Sequence, residues 1–263
     1  MINEERLLTK DLHYSYDKTP CINGISSCFR RNELTSILGP NGSGKSTYIK
    51  LLAGILRPQR GSVTLDGREL SLYTPKELAR KMSYVSQNSG IDFGFSVRDV
   101  VMMGRTPYSS VFRGTAPVDY QAVNEAIVKA NIEHIVGRPI NELSGGEYKK
   151  VMIARALAQK ADIMLLDEPV SGLDIRHQAD IMKILRLEAQ NGTTVIAVQH
   201  DLNIAASFSD RILLIKSGEI YSQGSPSEVL TPVNIEDVYR QRVSVFSEAG
   251  KLHIMQIYQQ EVD

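Results

Sequence analysis

The chain has 263 residues, and its thirty basic and thirty acidic side chains give a formal net charge of zero at pH 7. A chain of this length can form one large α/β domain with a smaller insertion and a substantial core. Because the charges balance, no broad electrostatic attraction to DNA, RNA or anionic lipid is expected. A nucleic-acid partner is therefore disfavoured.

The sequence also disfavours membrane crossing and secretion. The longest apolar runs, such as 195–198 and 212–215, are far shorter than the roughly 20 residues that cross a bilayer. Residues 1–6 are polar and acidic and lack the charged-then-apolar pattern of a signal peptide. Cys21 and Cys28 have no metal-ligand spacing, so packed, reduced thiols are expected. These features favour a cytoplasmic location.

The first predicted elements are strands. Residues 7–29 show strand-like runs with turn signals at 17–20 and at Asn23-Gly24, which is typical of an antiparallel β portion beside a larger sheet. Residues 34–38 then form an apolar run that predicts a buried strand.

The stretch after this strand matches the phosphate-binding loop G-x-x-x-x-G-K-[ST], and the helical run 47–53 follows it. Backbone N–H groups of such a loop point inward, and the helix N-terminus adds partial positive charge, so the turn can hold phosphate oxygens. We expect Lys45 to reach the outer phosphates and Ser46 to offer its hydroxyl to Mg²⁺. A glycine-rich turn before an ordinary helix is the alternative. The predicted nucleotide-binding residues are Gly39, Pro40, Asn41, Gly42, Ser43, Gly44, Lys45, Ser46 and Thr47.

A mostly helical stretch separates this loop from the later part of the core. Residues 82–86 predict a strand that ends before Gln87, and helical patterns such as 119–131 follow it. We interpret 88–160 as an inserted helical subdomain.

A second glycine-containing turn, Leu143-Ser144-Gly145-Gly146-Glu147, lies before the helical run 148–158. Ser144 is a favourable N-cap, the glycine pair exposes backbone N–H groups, and the helix dipole favours an anion. The turn can therefore hold a second phosphate. Local chemistry alone favours the simpler interpretation, which is a capped loop without a ligand.

A pair of carboxylates, Asp167 and Glu168, follows the apolar run 163–166. Carboxylates at the carboxyl end of a buried parallel strand lie at the sheet edge where ligands bind in doubly wound folds. We expect Asp167 to hold the Mg²⁺ shell and Glu168 to orient an attacking water or accept its proton. The alternative is a strand that ends in a solvated acidic turn.

The remaining elements complete a doubly wound core. A helix is predicted over 175–190, a strand over 193–198 and short strands within 211–223. The tail 231–263 has a short helical piece and then the alternation of a terminal strand, and no chemistry is assigned to it.

The order and spacing of these segments resemble the ATP-binding cassette (ABC) family over about residues 7–243. The resemblance implies an α/β P-loop NTPase fold with a mostly parallel core sheet, an antiparallel β portion and an inserted α-helical subdomain. It implies one nucleotide-binding domain over 1–263, with a RecA-like core of 1–87 and 161–263 and a helical subdomain of 88–160. It also implies that the chain uses ATP and Mg²⁺ and couples ATP hydrolysis to transport.

Several residue roles come from the resemblance alone. At matching positions, Gln87 is a sensor and a Mg²⁺ ligand, Asp174 lies in an intersubunit loop at the nucleotide, and His200 contacts the terminal phosphate. With Glu168, Gln87 and His200 form the implied catalytic set. Tyr16 matches the aromatic residue that stacks on adenine. Without the resemblance, a lone Tyr is more often a packed strand residue and a lone His more often a structural one.

The resemblance also implies that two copies of the chain work together. One chain folds the phosphate loop and the second glycine turn onto distant surfaces. A head-to-tail dimer places the Lys45 loop of one protomer opposite Ser144, Gly145 and Gly146 of the other, with two ATP molecules at the interface. Hydrolysis removes the γ-phosphate contacts and so favours the open dimer.

Three segments, 95–108, 173–178 and 200–206, resemble the importer branch that takes up ferric siderophores, haem and cobalamin. In that branch two cassettes dock beneath two transmembrane permease subunits, and an extracytoplasmic binding protein delivers the substrate. The resemblance implies attachment to the cytoplasmic face of the inner membrane, with the surface over 87–108 against the permease. By itself, 95–108 is equally well a surface helix with a Gly-Arg-Thr-Pro stop.

Two other classes of protein are less well supported. Cassette ATPases that act on nucleic acid or ribosomes carry a long coiled coil or a second cassette, and this sequence shows no sustained heptads and one cassette. A small-molecule P-loop kinase would leave Ser144 and His200 without a role.

A few positions depart from the family pattern, although none of them removes a phosphate ligand. Asn32 stands where Gly is common, Tyr48 replaces a frequent Leu, Lys149 and Lys150 stand where Gln and Arg are commoner, and Val170 replaces Thr or Ser.

Overall fold

The computed structural model describes residues 5–87, 94–109, 115–248 and 250–257. Its strands are β1 (Glu5–Tyr16), β2 (Thr19–Arg30), β3 (Leu34–Leu38), β4 (Arg60–Leu65), β5 (Arg68–Glu69), β6 (Met82–Val85), β7 (Ile163–Asp167), β8 (Thr194–Val198), β9 (Arg211–Lys216), β10 (Glu219–Gly224), β11 (Val243–Glu248) and β12 (Lys251–Gln256). Its α-helices are α1 (Lys45–Leu52), α2 (Pro75–Lys81), α3 (Val97–Met102), α4 (Pro117–Lys129), α5 (Gly145–Ala158), α6 (Ile175–Gln190), α7 (Leu202–Phe208), α8 (Pro226–Val229) and α9 (Pro232–Tyr239).

The centre of the fold is a six-stranded sheet with the order β10-β9-β3-β8-β7-β6. The strands from β9 to β6 run parallel, and β10 pairs antiparallel with β9 at one edge. The predicted mostly parallel core sheet is therefore confirmed. Strand β3 has its predicted bounds, and β6, β7 and β8 lie within one residue of theirs.

Both faces of this sheet are buried, which explains its apolar strands. Along β7, Met164 and Leu166 pack with α3, α4 and α5 on one face, whereas Ile163 and Leu165 pack with α1 and the antiparallel strands on the other. Every residue of β3, β7 and β8 is buried, as expected for a parallel sheet with two covered faces. Polar groups of these strands can therefore reach a ligand only where the strands end.

The antiparallel sheet has the order β2-β1-β4-β5. The turn predicted at Asn23-Gly24 is wrong, because both residues lie inside β2. Asn23 pairs with His13 and Ile25 pairs with Leu12, so Gly24, with φ of 75°, is an extra residue in the strand. A β-bulge and a turn both need a residue that accepts positive φ, and their sequence signals are therefore alike.

In the predicted helical insertion, the described elements are α3, α4, α5 and short 3₁₀ turns, and the exact limits of that subdomain stay a prediction. A buried ion pair fixes the 3₁₀ turn Met103–Tyr108 to these helices. Arg105 Nε donates to Asp119 Oδ1 at 2.8 Å, and Arg105 Nη1 donates to the Ala158 carbonyl at 2.9 Å. Each described helix is too short or too polar to traverse a lipid bilayer.

The C-terminal strands β11 and β12 form a hairpin, and β12 corresponds to the predicted terminal strand. Two hydrogen bonds from the side chain of Asn203 attach this hairpin to α7. The side-chain amide of Asn203 donates to the Ile254 carbonyl at 3.1 Å, and its side-chain oxygen accepts the Ile254 N–H at 2.8 Å. The hairpin is therefore fixed to the helix that begins just after His200.

Tyr48 attaches α1 to the antiparallel sheet. Its side chain is fully buried, and its hydroxyl lies 2.5 Å from Ser27 Oγ and 3.2 Å from Thr9 Oγ1. Burial raises the pKa of Tyr48 to about 12, so the phenol stays neutral. A Leu at this position could fill space but could not make these hydrogen bonds.

We expect Tyr48→Phe to lower the free energy of unfolding by about 1–2 kcal/mol, because Ser27 and Thr9 lose a buried partner. Urea denaturation followed by circular dichroism measures this change. Tyr221→Phe is the matched control, since its hydroxyl bonds Asp237 in an exposed setting and the expected change is within about 0.5 kcal/mol. Equal decreases in the free energy of unfolding of the two variants would contradict the role of Tyr48 in attaching α1 to the antiparallel sheet.

Candidate active site

The predicted site residues converge at one edge of the central sheet. The loop 39–47 follows β3 and His200 follows β8. Asp167 ends β7, Glu168 comes directly after it, and Gln87 follows β6. These strands are neighbours in the order β3-β8-β7-β6. Parallel strands present their carboxyl ends on the same side, and ligands bind there in doubly wound sheets. The fold thus brings together residues that are far apart in sequence.

The loop 39–47 fits closely against neighbouring backbone. A Cβ on Gly39 would lie 2.2 Å from the carbonyl oxygen of Ile215 in β9. A Cβ on Gly44, whose φ is 101°, would lie 2.7 Å from the carbonyl oxygen of Cys21 in β2. Glycine avoids both contacts. Within the loop, Gly39, Ser43, Gly44, Lys45 and Thr47 are buried, Pro40 and Ser46 are partly exposed, and Asn41 and Gly42 are exposed.

Lys45 is the first residue of α1 and is buried. Its ammonium donates to the carbonyl oxygens of Gly39 at 2.8 Å and Pro40 at 2.9 Å. Burial lowers the pKa of Lys45, whereas the negative charges of Glu168 and Asp167 raise it. The side chain brings positive charge to the loop, and a phosphate oxygen would form a stronger, charge-assisted bond than these neutral carbonyls do.

Ser46 and Asp167 form an oxygen-rich pair beside this ammonium. Ser46 Oγ donates to Asp167 Oδ1 at 3.1 Å. Burial raises the pKa of Asp167, and the Ser46 bond opposes that effect. Mg²⁺ prefers oxygen ligands and is commonly held by one or two carboxylates together with substrate phosphates. The hydroxyl and the carboxylate therefore fit the predicted Mg²⁺ site.

Glu168 is held by two other predicted site residues. Gln87 Nε2 donates to one carboxylate oxygen at 2.6 Å, and His200 Nε2 lies 2.5 Å from the other. The side chain of Glu168 is 9% exposed and that of His200 is 41% exposed, so His200 approaches from the solvent side. Glu168 also has φ of 54°, a backbone conformation that non-glycine residues rarely adopt and that is often found at functional sites. The structure thus assembles the predicted catalytic set, whereas the role of Gln87 as a Mg²⁺ ligand stays a prediction.

The second glycine turn caps α5 in the manner that the sequence predicts. Ser144 Oγ accepts the Glu147 N–H at 3.3 Å, and Glu147 Oε2 accepts the Ser144 N–H at 2.9 Å. Ser144 and Gly145 are exposed. Within the described parts of the chain, no hydrogen bond or ion pair joins this turn to the loop 39–47. The described bonds therefore do not connect the two predicted phosphate sites within one protomer.

A histidine joins this turn to the predicted intersubunit loop. An added Cβ on Gly146 would lie 2.5 Å from the ring of His177, so the two residues pack closely. His177 Nδ1 lies 2.8 Å from Asp174 Oδ2, and the His177 N–H donates to Asp174 Oδ1 at 2.9 Å. Asp174 also caps α6.

Tyr16 lies at the end of β1, where it pairs with Thr19 of β2, and it is 46% exposed. Its ring meets that of Tyr14 edge-on, with 5.0 Å between centroids. Two residues beyond Thr19, the Cys21 thiol donates to Thr47 Oγ1 at 3.2 Å. The hairpin end that carries Tyr16 is therefore attached to the phosphate loop.

Two residues outside the predicted set belong to the same neighbourhood. Lys149 Nζ donates to the Gln87 carbonyl at 2.9 Å, and its pKa is lowered by burial and raised by the charges of Glu168 and Asp167. The other residue is His177. The departure of Lys149 from the family pattern is the one sequence feature that could have singled it out. No local sequence feature indicates that His177 packs on Gly146.

Comparisons with known proteins agree with this fold and site. The profile of the ABC transporter family matches residues 22–171. The hemin import ATP-binding protein HmuV of Streptomyces coelicolor is 40% identical over 227 residues, which cover 86% of this chain and 80% of that protein. The ferric enterobactin transport ATP-binding protein FepC of Escherichia coli K12 is 35% identical over 244 residues, which cover 92% and 90%. A solved ABC transporter described as of metal-chelate type, in an inward-facing conformation, aligns with a TM-score of 0.85 and 27% identity over 97% of this chain and 98% of that chain.

These matches define the class of protein, and they confirm the predicted P-loop NTPase fold. The chain belongs to the ABC transporter family, as an ATP-binding subunit whose ATP hydrolysis is coupled to transport.

Proposed function

We propose that the chain energises the import of a metal chelate, namely haem, a ferric siderophore or cobalamin, through partner permease subunits. The proposal is supported by relatives whose names specify hemin import and ferric enterobactin transport and which align with most of the chain. The observation on which it depends is that four side chains with the chemistry of an ATPase site lie together at one edge of the sheet. They are Lys45, Asp167, Glu168 and His200. The chain would attach to the cytoplasmic face of the inner membrane through the permease, which receives substrate from an extracytoplasmic binding protein.

In this proposal the loop 39–47 holds the phosphates through its N–H groups, and Lys45 exchanges its two carbonyl acceptors for phosphate oxygens. Ser46 and Asp167, with Gln87, would hold Mg²⁺, which supplies charge neutralisation at the phosphates. Tyr16 would stack on adenine, because its hairpin end lies beside the loop and its ring is half exposed.

Glu168 is the proposed general base. It is nearly buried, and its carboxylate lies at the end of β7 between Gln87 and His200. The base would orient water and accept its proton, while Gln87 and His200 hold the carboxylate in place and His200 contacts the terminal phosphate.

Glu168→Gln should retain ATP binding while hydrolysis falls by about 10²–10⁴, the usual contribution of a positioned general base. Phosphate release by the purified chain and binding of a fluorescent ATP analogue measure the two properties separately. Glu133→Gln, an exposed carboxylate in the helical part, is the matched control and should turn over normally. Near-normal turnover of Glu168→Gln would overturn the assigned role.

We also propose that two copies form a head-to-tail dimer around ATP. Ser144 and Gly145 are exposed at the N-terminus of α5, where backbone N–H groups and the helix dipole favour an anion. No described bond joins this turn to the loop of its own chain, so a second protomer is the natural source of the facing loop. Asp174 would lie at this interface through its contact with His177.

Ser144→Arg should leave ATP binding by the monomer within about twofold of wild type but abolish the ATP-dependent dimer, because a large cation occupies the anion site. Sedimentation velocity in the Glu168→Gln background, where ATP is retained, measures the dimer. Ser227→Arg, at an exposed serine of α8, should dimerise normally. A Ser144→Arg protein that still dimerises with ATP contradicts the arrangement.

The proposed permease contact is the surface over 87–108, of which residues 88–93 lie outside the described part of the chain and the turn Met103–Tyr108 lies within it. Arg105 itself is buried against Asp119 and is therefore a structural support rather than a contact residue. The exposed residues of this turn are Met103 and Thr106. Helix α2 holds the turn from one side, since Arg80 Nε donates to the Pro107 carbonyl at 2.9 Å. Helix α2 also lines a mainly apolar cavity of about 660 Å³ through Pro75, Leu78 and Ala79. In this proposal the cavity would offer the permease a further apolar surface.

Met103→Glu should reduce uptake of radiolabelled haem or ferric siderophore by roughly tenfold or more in cells that express the chain with its permease, because a charge at an apolar contact weakens docking. Its ATPase activity as a purified chain should stay within about twofold of wild type, since the site is not touched. Val128→Glu changes an exposed valine of α4 and serves as the control. Unchanged uptake at equal expression would refute the docking surface, and loss of uptake for one chelate alone would identify the substrate.

A further inference from the structure

Lys149 connects the second glycine turn to the proposed general base. It lies on α5, the helix that begins at the Ser144 cap. Its Nζ donates to the backbone carbonyl of Gln87 at 2.9 Å, and the side-chain amide of Gln87 donates to Glu168 Oε2 at 2.6 Å. A continuous series of contacts therefore runs from α5 through Gln87 to the carboxylate.

The neighbouring lysine shows that this contact is specific to one side chain of the helix. Lys150 points its ammonium to Asp180 of α6, with 2.8 Å between Nζ and Oδ2. Lys149 instead reaches the end of β6, where its positive charge is also attracted by Glu168 and Asp167. The Gln that is commoner at this position has a shorter and uncharged side chain, so the contact depends on the residue that this chain carries.

We propose that Lys149 is a positioning residue that sets Gln87 against Glu168 and thereby links the orientation of α5 to ATP hydrolysis. The proposal rests on the function assigned to Glu168 above and adds a residue to it. In the proposed dimer, Ser144 at the start of α5 meets the nucleotide of the partner protomer. A shift of α5 on that encounter moves Lys149, and through it the Gln87 segment, so the base of one site responds to the nucleotide of the other.

The expected size of the effect follows from the usual energy of a charge-assisted hydrogen bond. A hydrogen bond from a charged donor to a carbonyl is stronger than a neutral one, and losing such a bond corresponds to a rate change of about tenfold. Because Lys149 acts on the carboxylate through Gln87, its loss should change the rate of the chemical step rather than the affinity for ATP.

The test compares Lys149→Met, which removes the donor and the charge, with Lys149→Arg, which keeps both. Steady-state ATPase kinetics of the full chain should show kcat reduced about tenfold in Lys149→Met, with KM for ATP within about twofold of wild type. Lys149→Arg should restore most of the lost kcat. Lys183→Met, at an exposed lysine of α6, controls for the loss of a surface charge and should behave as wild type.

A double-mutant cycle with Glu168→Gln tests whether Lys149 acts through the base. Single-turnover rates should show no further decrease when Lys149→Met is added to Glu168→Gln, because the group that Lys149 positions is already disabled. A full additional tenfold decrease in that background would overturn the inference, as would a raised KM with unchanged kcat or a failure of Lys149→Arg to restore rate.

These experiments distinguish failure of the Lys149 inference from failure of the proposed function. If wild type does not hydrolyse ATP, or Glu168→Gln hydrolyses it normally, then the assignment of the base fails. If both behave as proposed and Lys149→Met has wild-type kcat, then only the role of Lys149 fails. If Lys149→Met does not fold, Lys149→Gln replaces it in the comparison with Lys149→Arg. This variant removes the charge and shortens the side chain while keeping a polar group.

Discussion

The structure depends on one constraint, which is the burial of the parallel sheet on both faces. Strands β3, β7 and β8 have no exposed residue, so a charged side chain on them would face an apolar core. At the carboxyl ends this restriction is lifted, because loops and helix N-termini supply partners there. Asp167 and Glu168 can be nearly buried only because Ser46, Gln87 and His200 bond them. The same constraint that orders the core thus concentrates its polar chemistry at one edge.

Much of the fold could be predicted because the signals that determine it are local. Helix α6 begins and ends where the sequence predicts, since Asp174 caps it and its apolar positions repeat at helical spacing. Two departures from the family pattern also have physical reasons, one local and one that depends on packing. Asn32 has φ of 59°, and Asn is the residue that best replaces Gly in that conformation. Tyr48 replaces Leu in a buried position and uses its hydroxyl to bond the neighbouring sheet.

What the sequence could not provide depends on contacts between distant segments. Gly24 has the local signal of a turn, but pairing with β1 makes it a bulge. Arg105 lies in a segment that resembles a partner-binding surface, yet its side chain is buried in an ion pair with Asp119. In the candidate site, the loop, the carboxylates and His200 could be assigned because each belongs to a motif. Lys149 and His177 could not, because their partners are recognised only after the chain has folded.

The contacts of Glu168 give the site a means of control. Both of its carboxylate oxygens are engaged, one by Gln87 and one by His200. In the proposed role of Glu168 as the base, a water must share or displace these bonds before its proton can be accepted. Each holder is attached to an element outside the site. Gln87 is bonded through its carbonyl to Lys149 of α5. His200 lies two residues before the start of α7, and Asn203 of this helix is hydrogen-bonded to the C-terminal hairpin. In the proposed mechanism, movement of either element would change how freely the base meets water, which is a physical route by which events at distant surfaces could govern hydrolysis.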